Sequence, residues 1–452
     1  MTIILGVLCL GFIIFIHELG HFFAARLCGV KVESFSIGMG PVLLHKTMGG
    51  TDYRLSLLPF GGYCGMKGEQ AFREALEQNL DSIPAEPGGF YGVHPLKRAL
   101  IAVAGPAMNL FFAVIAFTII AMTGYTYYSA DNRVIMADEI LAGTASAAHN
   151  AGLMTGDRII SVDGEPVKIF SDISEKAGTN PGKTLRITVL RDGKQLDFDV
   201  IATMDRETGL GKIGVMNWVD PLVAGVDSNS TAEKAGFLPG DLIIAIDDDK
   251  VSNTADIQKF LLNKDSATIR VERIRNGSKE EKELVINIGK NIPLGLQFSV
   301  PEHQAERHSF FPAIGQGIRE TGELVALTFK SIGLLFKGVD LSNAVSGPIR
   351  ITVMLGDSVQ SGFYVGFKAG LVNTLNFLAL ISVSLFIMNL LPIPVLDGGL
   401  VLFALIEAIA RRPVHPKIMY YSQFIGIAFI LILLGIAIFS DANYVIKGIQ
   451  GK

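Results

Sequence analysis

The chain has 452 residues, 49% of them hydrophobic and 18% charged, with a net charge of −4. A soluble enzyme carries about a quarter charged residues, so this composition excludes an ordinary soluble protein, and the lack of a basic excess argues against a nucleic-acid partner. The three cysteines, Cys9, Cys28 and Cys64, all lie near the N-terminus, so no disulfide framework is legible.

A helix needs about 20 apolar residues to cross a bilayer. The first such stretch, Thr2 to Ala25, lacks a basic leading region and a cleavage site, and it reads as a retained span rather than a removed signal peptide. It contains His17-Glu18-x-x-His21. On a helix the two histidines share one face, about 6 Å apart along the axis, and both imidazoles reach one metal ion. Glu18 sits about 100° round, placed to take a proton from water activated by the metal. Each ionisable group at the bilayer centre costs about 2.5–3.5 kcal/mol. Three such groups and a further carboxylate come to roughly 10 kcal/mol, which zinc, worth about 10–16 kcal/mol at a structural site, returns. The competing reading is a proton relay or a polar helix contact.

Next come two glycine-punctuated apolar strands, residues 32–44 and 53–66, too short to span as helices. A second, charge-free span follows from Ala99 to Gly124.

The polar middle contains an internal repeat. SAAHNAGLMTGDRIISVDG (146–164) matches STAEKAGFLPGDLIIAIDD (230–248) at a constant offset, with Gly152, Gly156, Asp157 and Asp163 answering to Gly236, Gly240, Asp241 and Asp247. Two copies of one small domain account for it. Each copy resembles the PDZ domain, which implies either peptide capture at a sheet edge or a steric screen. The second copy departs at Asp248, where the signature has glycine, leaving its turn geometry open. An amphipathic run around Leu324 to Phe336 suits packing on the membrane surface.

The third span, Ala369 to Leu396, ends in NLLPIPVLDGG. A catalytic zinc takes three protein ligands, so the third must come from outside the first span. Asp397 follows Pro392 and Pro394, which break a helix, and a break inside a bilayer survives only where it lines a cavity or is buried in protein. Glu407 is the alternative ligand, although it lies near Arg411 and Arg412 and reads as interfacial. The fourth span runs from Ile418 to Ser440. Basic residues cluster after the first span (Arg26, Lys31), before the second (Lys97, Arg98) and between the third and fourth (Arg411, Arg412, Lys417). The positive-inside rule makes these cytoplasmic and puts both termini and residues 125–368 on the other side.

H-E-x-x-H on the first span with N-x-x-P-x-P-x-L-D-G on a later one resembles the site-2 protease family of intramembrane zinc metalloproteases. Two PDZ-like domains between the second and third spans resemble its bacterial, RseP-type branch. The resemblance implies an α-helical polytopic membrane protein of four spans, with a membrane-associated β-hairpin and two inserted PDZ-like α+β domains. The divisions are then 1–28 (first helix), 29–95 (hairpin and loop), 96–124 (second helix), 125–218 and 219–305 (PDZ-like domains), 306–368 (amphipathic and linker region), 369–410 (third helix) and 411–452 (fourth helix). It implies Zn2+ on His17, His21 and Asp397, Glu18 as general base, and substrate contacts from Asn389, Gly38, Gly40, Pro392 and Pro394. Asn109 in AGPAMN matches a G-P-x-x-N element of the family, and Ser346-Gly347-Pro348 also looks family-like. The implied substrates are single-pass membrane proteins already cut by an upstream site-1 protease, namely an anti-sigma factor or remnant signal peptides. The implied location is the bacterial inner membrane, with the PDZ-like pair on the periplasmic side. The alternatives are a PDZ-based peptide-binding scaffold and a metal transporter.

Overall fold

The computed structural model describes residues 2–141, 143–205, 209–275, 278–288, 294–335 and 347–450. The described residues form two units, one built from residues 2–125, 305–335 and 347–450, the other from residues 126–304.

In the first unit, helix α1 (Thr2–Cys28) leads into strands β1 (Val32–Met48) and β2 (Thr51–Met66), a short helix α2 (Glu69–Glu77) and α3 (Pro95–Thr123). After the second unit come α4 (Phe310–Leu335), α5 (Pro348–Val365), α6 (Phe367–Asn389), α7 (Asp397–Ala410) and α8 (Pro416–Gln450). Four of these, α1, α3, α6 and residues Pro416–Ala442 of α8, are long and apolar enough to cross a membrane. They coincide with the four stretches expected from the sequence.

Lipid gives helices no hydrophobic reason to associate, so they meet through small residues. A Cβ on Gly20 of α1 would lie 2.2 Å from the Ala104 carbonyl oxygen of α3. Further along α3, Ala113 and Ala116 pack against Ala379, Val383 and Ile387 of α6. Leu324 and Val325 of α4 join the same cluster, and Gly317 meets α3 so closely that a Cβ would lie 2.4 Å from Thr118 Oγ1. In the amphipathic run expected on a membrane surface, Leu324, Val325 and Ile332 pack partly buried against α3 and α6, while Phe329 stays exposed. Phe336 and Ser346 lie outside the described residues. Asp441 of α8, 2% exposed, accepts from the Gly347 and Ile349 backbone N–H groups at 3.0 Å each and caps α5.

The hairpin turns at Gly49-Gly50, both at positive φ, as a two-residue turn requires. It is curled rather than flat. Val32–Ile37 pairs on one side with Gly62–Met66 and, from Ser34, on the other with Asp52–Leu55. The curl occurs where Gly38, Gly40 and Gly61 take φ of +88°, +83° and +97°. Its inner side packs on α1 through Phe22, Ala25, Val32 and Phe35. Met39, Val42, Leu43, Leu44, Leu57 and Leu58 remain exposed.

The second unit shows the repeat as two four-stranded sheets of the same order. The first is 165–166, 158–162, 184–191, 194–201; the second is 249–250, 242–246, 266–275, 278–287. Leu153 and Ile159 fill one core where Phe237 and Ile243 fill the other. The Gly-Asp of the repeat has a structural cause. Asp157 pairs bidentately with Arg191 at 2.7 and 2.6 Å, and Asp241 with Arg273 at 2.6 and 2.8 Å. The turn at Asp247-Asp248 keeps the two-residue hairpin of Asp163-Gly164, Ile246 facing Asp249 as Val162 faces Glu165.

Candidate metal centre

His17 and His21 share one face of α1, are 9% and 7% exposed, and meet Asp397 at the first turn of α7. The three side chains form a nearly equilateral triangle. His17 Nε2 lies 3.2 Å from His21 Nε2 and 3.2 Å from Asp397 Oδ2, and His21 Nε2 lies 3.4 Å from Asp397 Oδ1.

Asp397 arrives there because the chain breaks. Helix α6 ends at Asn389, and α7 begins only at Asp397. The division expected from 369 to 410 therefore holds two helices, with the irregular turn at the proline break between them. Pro392 and Pro394 supply no N–H to continue α6. The turn folds back so tightly that a Cβ on Gly398 would lie 2.1 Å from the Leu391 carbonyl oxygen and one on Gly399 2.4 Å from that of Ile393. Only glycine fits after the aspartate, which explains the D-G-G sequence.

The donor set fits zinc. His21 Nδ1 donates to the Ile101 carbonyl at 2.9 Å, so its Nε2 carries a lone pair turned towards His17 and Asp397. Acceptors that face each other at this distance repel unless a proton or a cation sits among them. Tetrahedral zinc with bonds of about 2.0–2.1 Å separates its ligands by about 3.3–3.4 Å, the spacing found here.

Glu18 lines the same cavity, which has a volume of about 770 Å³. Cys64, at the end of β2, lines the cavity beside it. Residues Tyr63–Met66 at the end of β2 form one wall, Phe72 and Leu76 of α2 another, and Tyr420 and Gln423 of α8 a third. Gly38 and Gly40 lie at the bend of the hairpin and not on this wall. Asn389 is half-buried at the end of α6, and Pro392 and Pro394 form the turn before Asp397. Glu407 does not join the triangle. It is buried and ion-paired with Arg98, and it accepts from the Val414 N–H at 3.1 Å. Arg98, expected among the cytoplasmic basic residues, is buried by that pairing.

Three α3 residues lie at the centre: Gly105 and Asn109 belong to the G-P-x-x-N element, which the sequence marks without a role, and Ile101 is not marked at all. Asn109 Nδ2 lies 3.3 Å from His17 Nδ1. Apart from that element, the available signal is a lone asparagine in an otherwise apolar span. Helix α2 was equally unmarked, although Phe72 and Leu76 at i, i+4 already define one face.

Two buried imidazoles, a carboxylate and a free glutamate at a cavity among membrane-length helices define a metallohydrolase. The profile of peptidase family M50 matches residues 5–433. A Treponema pallidum protein named "Putative zinc metalloprotease" is 40% identical over 98% of this chain and 99% of its own length. The Escherichia coli regulator of sigma-E protease RseP is 31% identical over 96% and 97%, and a Haemophilus influenzae regulator of sigma E protease matches at the same level. The chain belongs to peptidase family M50, the site-2 protease family, and is a zinc metalloprotease. Membership separates it from the scaffold and transporter alternatives.

Proposed function

We propose that this protein hydrolyses peptide bonds within the membrane-spanning segments of other proteins, with His17, His21 and Asp397 holding zinc and Glu18 acting as general base. The observation that carries this reading is the 3.2–3.4 Å triangle beside Glu18. When bound, zinc supplies Lewis acidity to the scissile carbonyl and lowers the pKa of water towards about 7. Glu18, on the same cavity as the three ligands, takes the attacking water's proton and passes it to the leaving amine.

A transmembrane substrate hides its carbonyls in intrahelical hydrogen bonds and must be extended before it reacts. The Tyr63–Met66 segment borders the cavity and can pair with an extended strand. Gly38 and Gly40 serve this by curling the hairpin, which lies in the membrane with its exposed leucines. Asn389, with Pro392 and Pro394, holds the substrate backbone opposite that edge.

The two repeats are PDZ-like domains on the periplasmic side of a bacterial inner membrane. They either bind peptide or exclude substrates that still carry a large external domain. The names of the Escherichia coli and Haemophilus influenzae relatives support a substrate in the class of membrane-bound anti-sigma factors, shortened first by a site-1 protease; remnant signal peptides are a second class.

The test is Glu18→Gln. The amide keeps the size of the carboxylate but cannot take the proton. The purified variant is expected to bind zinc like the wild type and to leave a single-pass substrate uncut. Cleavage at the wild-type rate removes Glu18 from the mechanism.

A further inference from the structure

We infer that Asn109 is a positioning residue that sets the metal-binding tautomer of His17, through a half-turn of its side-chain amide. The inference rests on the assignment of His17 and His21 as zinc ligands made above.

Helix α3 touches both histidines along one face. Ile101, Gly105 and Asn109 are spaced four residues apart and so lie in a row. The Ile101 carbonyl accepts from His21 Nδ1 at 2.9 Å. Gly105 makes room for that ring, since a Cβ there would lie 2.3 Å from His21 Nε2. A carbonyl oxygen can only accept, so His21 is fixed with its proton on Nδ1 and its Nε2 free to ligate.

His17 is held differently. Its Nδ1 faces the amide of Asn109 at 3.3 Å, with the nitrogen Nδ2 presented. Asn109 is fully buried, and its Oδ1 has no hydrogen-bond partner among the described residues. In this arrangement Nδ1 accepts, and the proton sits on Nε2, 3.2 Å from Asp397 Oδ2. A neutral imidazole that ligates through Nε2 must carry its proton on Nδ1 instead. The partner of Nδ1 must then be an acceptor. Amide nitrogen and oxygen are nearly the same size, so rotation about the last side-chain bond exchanges them and brings the unpartnered Oδ1 to Nδ1. Asparagine serves both tautomers, aspartate would serve the ligating one alone, and leucine neither.

The test uses the purified full-length protein, stripped of metal and titrated with zinc against a chromophoric chelator; Co2+ absorption reports ligand geometry. Asn109→Leu, which fills the volume without hydrogen bonding, is expected to weaken zinc about 10- to 100-fold. Asn109→Asp is expected to bind zinc at least as tightly as the wild type, with an unchanged Co2+ spectrum. Wild-type affinity in Asn109→Leu overturns the inference. So does an Asn109→Asp protein as weak as the leucine variant, because the amide then only fills space. If the leucine variant does not fold, Asn109→Ala is read by the same criterion. His17→Ala separates the two levels. If it binds zinc like the wild type, the ligand assignment fails and this inference fails with it. If it loses zinc while Asn109→Leu does not, the inference alone fails.

Discussion

Two carboxylates compete for the third ligand position when only the sequence is known, and the structure gives them different surroundings. Asp397 sits at the start of α7 facing both imidazoles, while Glu407 points to Arg98. Asp397→Ala is therefore expected to lose zinc and activity together. Glu407→Gln is expected to keep its zinc but to lose about 3–5 kcal/mol of stability, since it leaves the Arg98 guanidinium buried without its counter-charge. Zinc analysis and unfolding of the two purified variants give opposite patterns, and a zinc-free, stable Glu407→Gln protein would reverse the assignment. At this scale the histidines were legible because a single helix carries both, and the spacing alone puts them together. The choice of carboxylate was not, because nothing in local sequence tells which way a side chain on another helix turns.

Among the elements, the repeated modules were the most legible, because a constant offset does not depend on how either copy folds. The role of the Gly-Asp in each is now explained by one ion pair per module, Asp157–Arg191 and Asp241–Arg273. Asp241 is fully buried. Asp241→Ala leaves Arg273 without its partner and is expected to destabilise the second module by about 3 kcal/mol while the first keeps its protection. Hydrogen exchange across the two sheets measures this; equal loosening of both would mean that they do not open independently. The hairpin was legible as two strands but not as a curled sheet. Its curl depends on glycines at positive φ and on one segment pairing with two others, and pairing across the chain leaves no periodic mark.

For the whole molecule, the second unit is an insertion whose ends meet. Thr126–Tyr128 pairs with Glu302–Gln304, and the Ala305 N–H donates to the Tyr125 carbonyl at 2.8 Å. A short linker can therefore close the gap. Removing about Asn132 to Val300 is expected to leave zinc content and cleavage of a short substrate intact and to admit substrates with larger external domains. Loss of all cleavage in a folded, zinc-loaded deletion would give the modules a part in the chemistry. The depth of the centre gives a further prediction. His17 is about 22 Å along the helix from Thr2, and a hydrocarbon core is about 30 Å thick; in the orientation that the positive-inside rule gives, the near side is cytoplasmic. Substrates should be cut in the cytoplasmic half of their spans, which mass spectrometry of the products reads directly; cleavage in the outer half would overturn this topology.

The sequence by itself determined the four apolar helices, the duplicated modules, the shared face of His17 and His21 on α1 and the break before Asp397. Each rests on contiguous residues, through length, hydropathy, helical spacing or proline. Only the tertiary structure decided that Asp397 meets the two histidines while Glu407 pairs with Arg98, that Tyr63–Met66 rather than Gly38 and Gly40 walls the cavity, and that Ile101, Gly105 and Asn109 lie against the histidines from behind. Those facts concern which faces of separate helices and strands meet. In a chain this apolar, many faces are chemically alike, and the close approaches that select among them are made by glycines and alanines, whose lack of side chain leaves little for a sequence to show.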